Sequence, residues 1–191
     1  MNTPFFYKEV YTQLGTMGIV WINRGRALLI ERILLPNEVS GENPLTGRIR
    51  TLNGKKVIMT AKQQVPKAIS EIEDILYCCI EGTGADLGIF NFTQCSDFQK
   101  AVLFAEYRVP PGWITTYGRI ASKIGKPGSA RAVGMALAAN PFPLIIPCHR
   151  AVRASGELGG YRGGVQMKRT LLEHEGVRFA ESGRVLMDRV Y

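Results

Sequence analysis

No run of about 18 or more consecutive apolar residues occurs in this 191-residue chain, so no membrane-spanning helix is expected. The opening stretch, MNTPFFYKEVYTQLG, lacks the basic start and unbroken apolar core of a secretory signal. The expectation is an intracellular protein without a membrane partner, cytoplasmic, or nuclear if its source is eukaryotic. Histidine is nearly missing, with only His149 and His174, and cysteine is scarce, with Cys78, Cys79, Cys95 and Cys148. Cys78 and Cys79 are adjacent, which suits neither a mutual disulfide nor paired zinc ligands. Both histidines lie far along the chain from them. A metal is therefore not expected, and Cys78, Cys79 and Cys95 read as reduced, buried small hydrophobes.

Acidic residues are short as well, and unevenly so. Sixteen Asp and Glu stand against 24 Lys and Arg, for a net charge of +8. Residues 1–95 are nearly balanced, with 10 basic and 9 acidic side chains, whereas residues 96–191 carry 14 and 7. From Arg119 to Arg169 there are nine basic residues and one acid, Glu157. Such a stretch attracts a polyanion at long range and loses that attraction as salt rises. Charge alone does not choose nucleic acid over anionic lipid.

What is present divides into two parts, with a boundary expected near residue 95. In residues 1–95 the strand-like runs 18–23 and 27–35 flank Asn23-Arg24-Gly25-Arg26, a hairpin turn. Pro36 to Gly54 is rich in Gly, Pro, Asn and Glu and reads as a loop. From Pro66 to Ile80 apolar residues recur at helical spacing, with Pro66 in the first turn and Gly82 just beyond the end. Residues 83–94 read as linker. The result is a small α+β unit.

Residues 96–191 read as short helices joined by tight turns. Phe98–Arg108 is stopped by Val109-Pro110-Pro111-Gly112. Thr116 caps a helix reaching about Ile124, and Gly125-Lys126-Pro127-Gly128 makes the turn. Ser129 then caps a helix over 130–139 that Asn140-Pro141-Phe142-Pro143 ends. Two short helices around a glycine-bearing turn, inside the basic stretch, predict helix-turn-helix geometry. Ala130, Ala132, Gly134, Ala136, Ala138 and Ala139 leave the second helix thin, with Arg131 its only charge. A thin helix enters a narrow groove, and it also packs closely against a neighbouring helix.

The apolar run Leu144-Ile145-Ile146 should be buried, and it leads into Pro147-Cys148-His149-Arg150. A thiol beside an imidazole and a guanidinium, where the chain leaves the core, is a candidate nucleophile. The thiolate is the reactive form, and cationic or hydrogen-bonding neighbours are expected to raise its population.

These segments together resemble the O6-alkylguanine-DNA alkyltransferases, the methylated-DNA–protein-cysteine methyltransferases. The resemblance runs from about Phe98 to Phe179. It is carried by Val109-Pro-Pro-Gly with Thr115-Thr-Tyr-Gly, Ser129-Ala-Arg-Ala-Val-Gly, Asn140-Pro, Ile146-Pro-Cys-His-Arg-Ala-Val, Gly159-Gly-Tyr-Arg-Gly-Gly and Leu171-Leu-Glu-His-Glu-Gly. Six segments in one order make chance a poor explanation.

The resemblance implies an α+β fold: a small ribonuclease-H-like N-terminal domain over 1–95, then a mostly helical C-terminal domain over 96–191 with a winged helix-turn-helix. It implies direct-reversal repair, in which an alkyl group passes from O6-alkylguanine, and O4-alkylthymine, in double-stranded DNA to Cys148. The base is flipped out through the minor groove. Cys148 matches the alkyl acceptor, His149 the base that acts through a water, and Glu175 the acid that orients it. From the residues alone His174 is as eligible as Glu175. Tyr117 matches the proton donor to the departing guanine, and Arg131 the finger that fills the gap in the duplex. Thr116, Ala130, Ala132, Gly134 and Arg150 complete the expected DNA-facing set. Asn140, Ala151, Gly159, Gly160, Tyr161 and Arg162 make up the expected substrate pocket, with Asn140 bracing the turn before Cys148.

Because a thioether is not readily cleaved in water, the protein should act once, as a monomer and without a cofactor. Three features depart from the family pattern. Leu103-Phe104 stands where a tryptophan is common, and Arg162 where a smaller residue is common, with consequences for a phosphate contact or for pocket width. The N-terminal part also lacks the ligands with which some relatives hold zinc. The competing readings are a non-catalytic binder of alkylated DNA, a helix-turn-helix regulator with a structural Cys148, and a cysteine hydrolase.

Overall fold

Central strands are buried on both faces, and the run Met17 to Trp21 has that character throughout. The computed structural model describes residues 4–36, 51–52, 55–59, 65–78 and 85–191. They form a mixed α+β protein that divides into a first unit ending at Phe92 and a second starting at Thr93. In the first unit β1 (Phe5–Thr12), β2 (Gly15–Arg24) and β3 (Ala27–Leu34) make an antiparallel meander. The turn between β2 and β3 lies at Gly25-Arg26, within the segment that the sequence marks for it. β4 (Thr51–Leu52) pairs with β5 (Lys55–Met59), and β5 runs parallel to β1, giving the order β3-β2-β1-β5-β4.

Helix α1 (Lys67–Cys78) turns Ile69, Ile72 and Leu76 inward, as its spacing dictates. Two expectations need correcting in this unit, and β1 lies where the sequence marks no element, because Lys8 and Glu9 interrupt its apolar run. Thr51–Leu52 is a strand inside the expected loop 36–54, most of which lies outside the described residues. The expected linker holds 3-10 turns at Leu87–Ile89 and Phe92–Gln94. Gly82 and Cys79 also lie outside the described residues.

The second unit begins with α2 (Asp97–Tyr107), whose first turn is capped by Ser96 Oγ accepting from Gln99 N at 3.2 Å. Strand β6 (Thr115–Thr116) leads into α3 (Tyr117–Lys123), and a turn with Gly125 and Gly128 at positive φ leads into α4 (Ala130–Ala138). Thr116 caps α3 as expected, accepting from Arg119 N at 3.2 Å. Ser129 occupies the N-cap position of α4 but makes no side-chain cap bond.

Ile120, Ala121, Val133 and Leu137 are buried where α3 and α4 pack together, and α2 packs on both. The chain then reaches a 3-10 turn, Cys148–Arg150, followed by β7 (Ala151–Val152), which pairs in parallel with β6. Helix α5 (Val165–His174) and residues 177–190 close a core of Ile114, Val152, Leu158, Leu172, Val177 and Val185. No helix among the described residues is long and apolar enough to cross a membrane.

Candidate active site

Leu144, Ile145 and Ile146 are buried, as their composition demands, and they anchor the strap that delivers Cys148. Leu144 adopts a φ of 71°, a strained conformation for a branched side chain that turns the strap sharply before the thiol. Asn140 holds this strap together. Its Oδ1 accepts from Phe142 N at 2.9 Å, and its Nδ2 donates to Ile146 O at 3.0 Å and to Cys148 Sγ at 3.3 Å. The brace expected from the sequence is therefore also a direct partner of the sulfur.

Cys148 is 8% exposed and lies in a cleft of about 640 Å³, a size typical of small-molecule sites. One wall is α4, with Arg131, Gly134, Met135 and Ala138. The other is the loop Gly159, Gly160, Tyr161 and Arg162, and Tyr117 and Asn140 lie between them. Gly159 has a φ of 69°, and a Cβ there would sit 2.8 Å from the Tyr117 hydroxyl, so only glycine lets the loop come so close.

Burial pushes the Cys148 thiol up to about 11, and the nearby Glu106 pushes the same way. The Asn140 hydrogen bond, Lys168 and Arg162 pull it down but do not prevail. The expectation of an enriched thiolate at rest is thus reversed. Desolvation outweighs the basic surroundings, and the resting group is a thiol.

A base stands in the same 3-10 turn. His149 is 2% exposed, and its Nε2 lies 2.9 Å from Glu175 Oε1. An ionised carboxylate only accepts, so the imidazole proton belongs on Nε2 and the Nδ1 lone pair is open. Nδ1 is buried and has no protein partner among the described residues. Burial lowers the pKa of His149 against the opposing pull of Glu175, which leaves the ring neutral at pH 7.

Glu175 ends α5, and its carboxylate also receives Arg150 Nε at 3.0 Å and Nη2 at 2.7 Å, while Arg150 Nη1 donates to Val109 O at 2.6 Å. Burial pushes the Glu175 pKa up, but the combined bonds and charges of His149 and Arg150 hold it down at about 2. His174, the rival candidate, is exposed on the helix surface. A neutral base with an oriented ring beside a thiol is the arrangement needed to make a nucleophile on demand.

Residues 97–177 match the family model of the 6-O-methylguanine DNA methyltransferase DNA-binding domain. A methylated-DNA–protein-cysteine methyltransferase from Methanothermobacter thermautotrophicus is 42% identical over 114 residues, 59% of this chain and 64% of the relative. The one from Mycolicibacterium paratuberculosis is 36% identical over 138 residues, 72% of this chain and 84% of the relative. The chain belongs to the methylated-DNA–protein-cysteine methyltransferase family. Among solved structures, Mycobacterium tuberculosis OGT in complex with DNA matches with a TM-score of 0.64 and 30% identity, over 89% of this chain and 92% of that one.

Within this methyltransferase framework the structure brings together Cys148, His149, Glu175, Tyr117, Asn140, Gly159, Gly160, Tyr161 and Arg162. Arg131, Ala130 and Gly134 lie on the same cleft, and Ala132 is exposed on α4. Three assignments need correction. Arg150 is 3% exposed and spent on Glu175 and Val109, so it positions the acid and does not face DNA. Thr116 is 7% exposed and serves as a helix cap. Ala151 is fully buried outside the cleft, and its carbonyl accepts from Lys168 Nζ at 2.6 Å. Arg162 donates to Ala138 O at 3.1 Å and Asn140 O at 2.6 Å, tying the Gly159–Arg162 loop to the end of α4.

Two neighbours of the site escaped the sequence reading. Lys168 is fully buried, bridges Ala151 O and Leu158 O at 2.6 Å each, and is lowered to about 8 by burial. Glu106 is fully buried, neither of its carboxyl oxygens has a partner among the described residues, and burial raises it to about 8. Both were legible as charges on apolar helix faces, Glu106 beside Val102 and Leu103, and Lys168 beside Leu171 and Leu172.

Replacing Asn140 with alanine should destabilise the unit by on the order of 3 kcal/mol, since three buried bonds are lost together. Urea denaturation checks this, and a loss under about 1 kcal/mol would show that the strap holds without its brace.

Proposed function

We propose that this protein repairs DNA by moving the alkyl group of O6-alkylguanine in double-stranded DNA onto Cys148 Sγ, once per molecule. The observation that carries the reading is the Cys148 sulfur at an open cleft, with the neutral His149 in the same turn and its Nε2 bonded to the ionised Glu175. A nucleotide swung out of the duplex fits the cleft between α4 and the Gly159–Arg162 loop, and Arg131 on the exposed face of α4 takes the gap it leaves. The thin face of α4 suits the minor groove.

The thiol proton passes through a water to His149 Nδ1, and the sulfur attacks the alkyl carbon. The S–C bond forms as the C–O6 bond breaks, and the electron pair goes to the purine. Tyr117 donates its hydroxyl proton to a ring nitrogen of the departing guanine and is reprotonated from water, while His149 gives up the thiol proton to water, so the proton count balances. No other alkyl donor takes part, and the thioether ends the cycle. O4-alkylthymine is a second substrate of the same chemistry.

Incubation with a duplex containing O6-methylguanine, followed by intact mass and peptide mapping, tests the reading. One added methyl group on Cys148, with no further turnover, is the expected result. Tight binding beside an unmodified protein and an intact lesion would instead make the protein a non-catalytic lesion binder.

A further inference from the structure

Apart from Arg131, bulk is almost absent from the solvent face of α4, where Ala132 and Ala138 are exposed. Met135 is the exception. It is 68% exposed and lies on the rim of the cleft that holds Cys148. We propose that Met135 is a second duplex-opening side chain, a positioning residue that wedges into the minor groove one helical turn from Arg131 and keeps the stack parted while the nucleotide occupies the cleft. This rests on the alkyl-transfer reading above.

Residues 131 and 135 are four apart, so their side chains emerge from one face about 6 Å from each other. That spacing is under two base-pair steps, so when Arg131 fills the vacated position, Met135 meets the adjoining step. Arg131 suits the gap because it replaces lost hydrogen bonds and neutralises phosphate charge. Met135 suits the step because it is unbranched, apolar and adaptable, the character of side chains that part stacked bases from the minor groove. The neighbouring Gly134 and Ala138 leave it free to project.

The packing of α4 does not require this side chain, since Val133, Ala136 and Leu137 supply the buried face.

The test compares single-turnover methyl uptake by the wild type, Met135→Ala and Met135→Leu. The lesion is placed in a paired duplex, in a duplex with an unpaired bubble around it, and in single-stranded DNA. Met135→Ala should be about tenfold slower on the paired duplex, where unstacking costs energy, and within about twofold of wild type on the other two. Met135→Leu should remain close to wild type on all three.

Equal slowing on all three substrates would make Met135 a contact of the base inside the cleft and not of the stack, and no slowing on the duplex would make it idle in opening; either overturns the wedge alone. A wild type that takes up no methyl from any of the three would sink the alkyl-transfer reading and the wedge with it.

Discussion

Glu175→Gln should slow single-turnover methyl transfer at pH 7 by about 10²–10⁴-fold, the usual contribution of a positioned general base, which this acid orients. Glutamine offers one acceptor and one donor where two cationic or N–H partners now bind. Whichever way the amide turns, either His149 Nε2–H or the Arg150 fork faces a donor. The imidazole then loses the tautomer that leaves Nδ1 open. A variant within threefold of wild type would remove the His149–Glu175 pair from the mechanism.

The same substitution has a signature in the pH dependence of stability. Held at about 2 in the fold against an ordinary 4.5, Glu175 favours folding while it is ionised. Its contribution, on the order of 3 kcal/mol, is complete above 4.5 and disappears as pH falls toward 2. His149 is held below its ordinary 6.5, so the unfolded chain binds its proton more readily and stability also falls on acidification below that value. The wild type's advantage over Glu175→Gln in urea midpoint should therefore shrink between pH 4.5 and 3. An advantage constant down to pH 3 would contradict the assigned ion pair.

Cys148 should be a poor thiol toward a small reagent. With the thiol pushed up to about 11 from an ordinary 9, the thiolate fraction near pH 8 falls by about two decades. The higher intrinsic nucleophilicity of a more basic sulfur recovers part of that. Iodoacetamide should thus modify Cys148 about 10- to 100-fold more slowly than an ordinary exposed cysteine, read site by site from peptide masses. Alkylation at the rate of a free thiol would show that the sulfur is already ionised at rest. On the alkyl-transfer reading, the site holds its nucleophile at rest as the neutral acid.

Much of the second unit was legible because its elements are locally punctuated. Val109-Pro110-Pro111-Gly112, Gly125-Lys126-Pro127-Gly128 and Asn140-Pro141 end or begin helices by steric necessity, and the structure places α2, α3 and α4 between them. The first unit was harder to read. Strand β1 alternates too poorly for its burial to show, and β4 and β5 are too short to carry a period. They exist because a sheet supplies partners to their backbone groups, a condition set by residues far away in sequence.

The candidate site divides in the same way. Cys148 and His149 stand in a motif whose chemistry is local, so residue type and context were enough to mark them, whereas Tyr117 and Tyr161 were marked only by the family resemblance. Arg150 was misread because a guanidinium in a basic stretch looks like a DNA contact, and only the fold reveals that Val109 and Glu175 use all of its reach. The choice of Glu175 over His174 has the same origin, since neighbours on a helix point about 100° apart and one direction leads inward.

The sequence by itself determined which atoms can react, a sulfur with an imidazole beside it, and that the surrounding half of the chain is basic. Tertiary structure alone decided their protonation. Burial overrules net charge at Cys148, and a carboxylate arriving from the end of α5 fixes the tautomer of His149, because desolvation and hydrogen bonding depend on what lies within a few ångströms and not on what lies nearby in the chain.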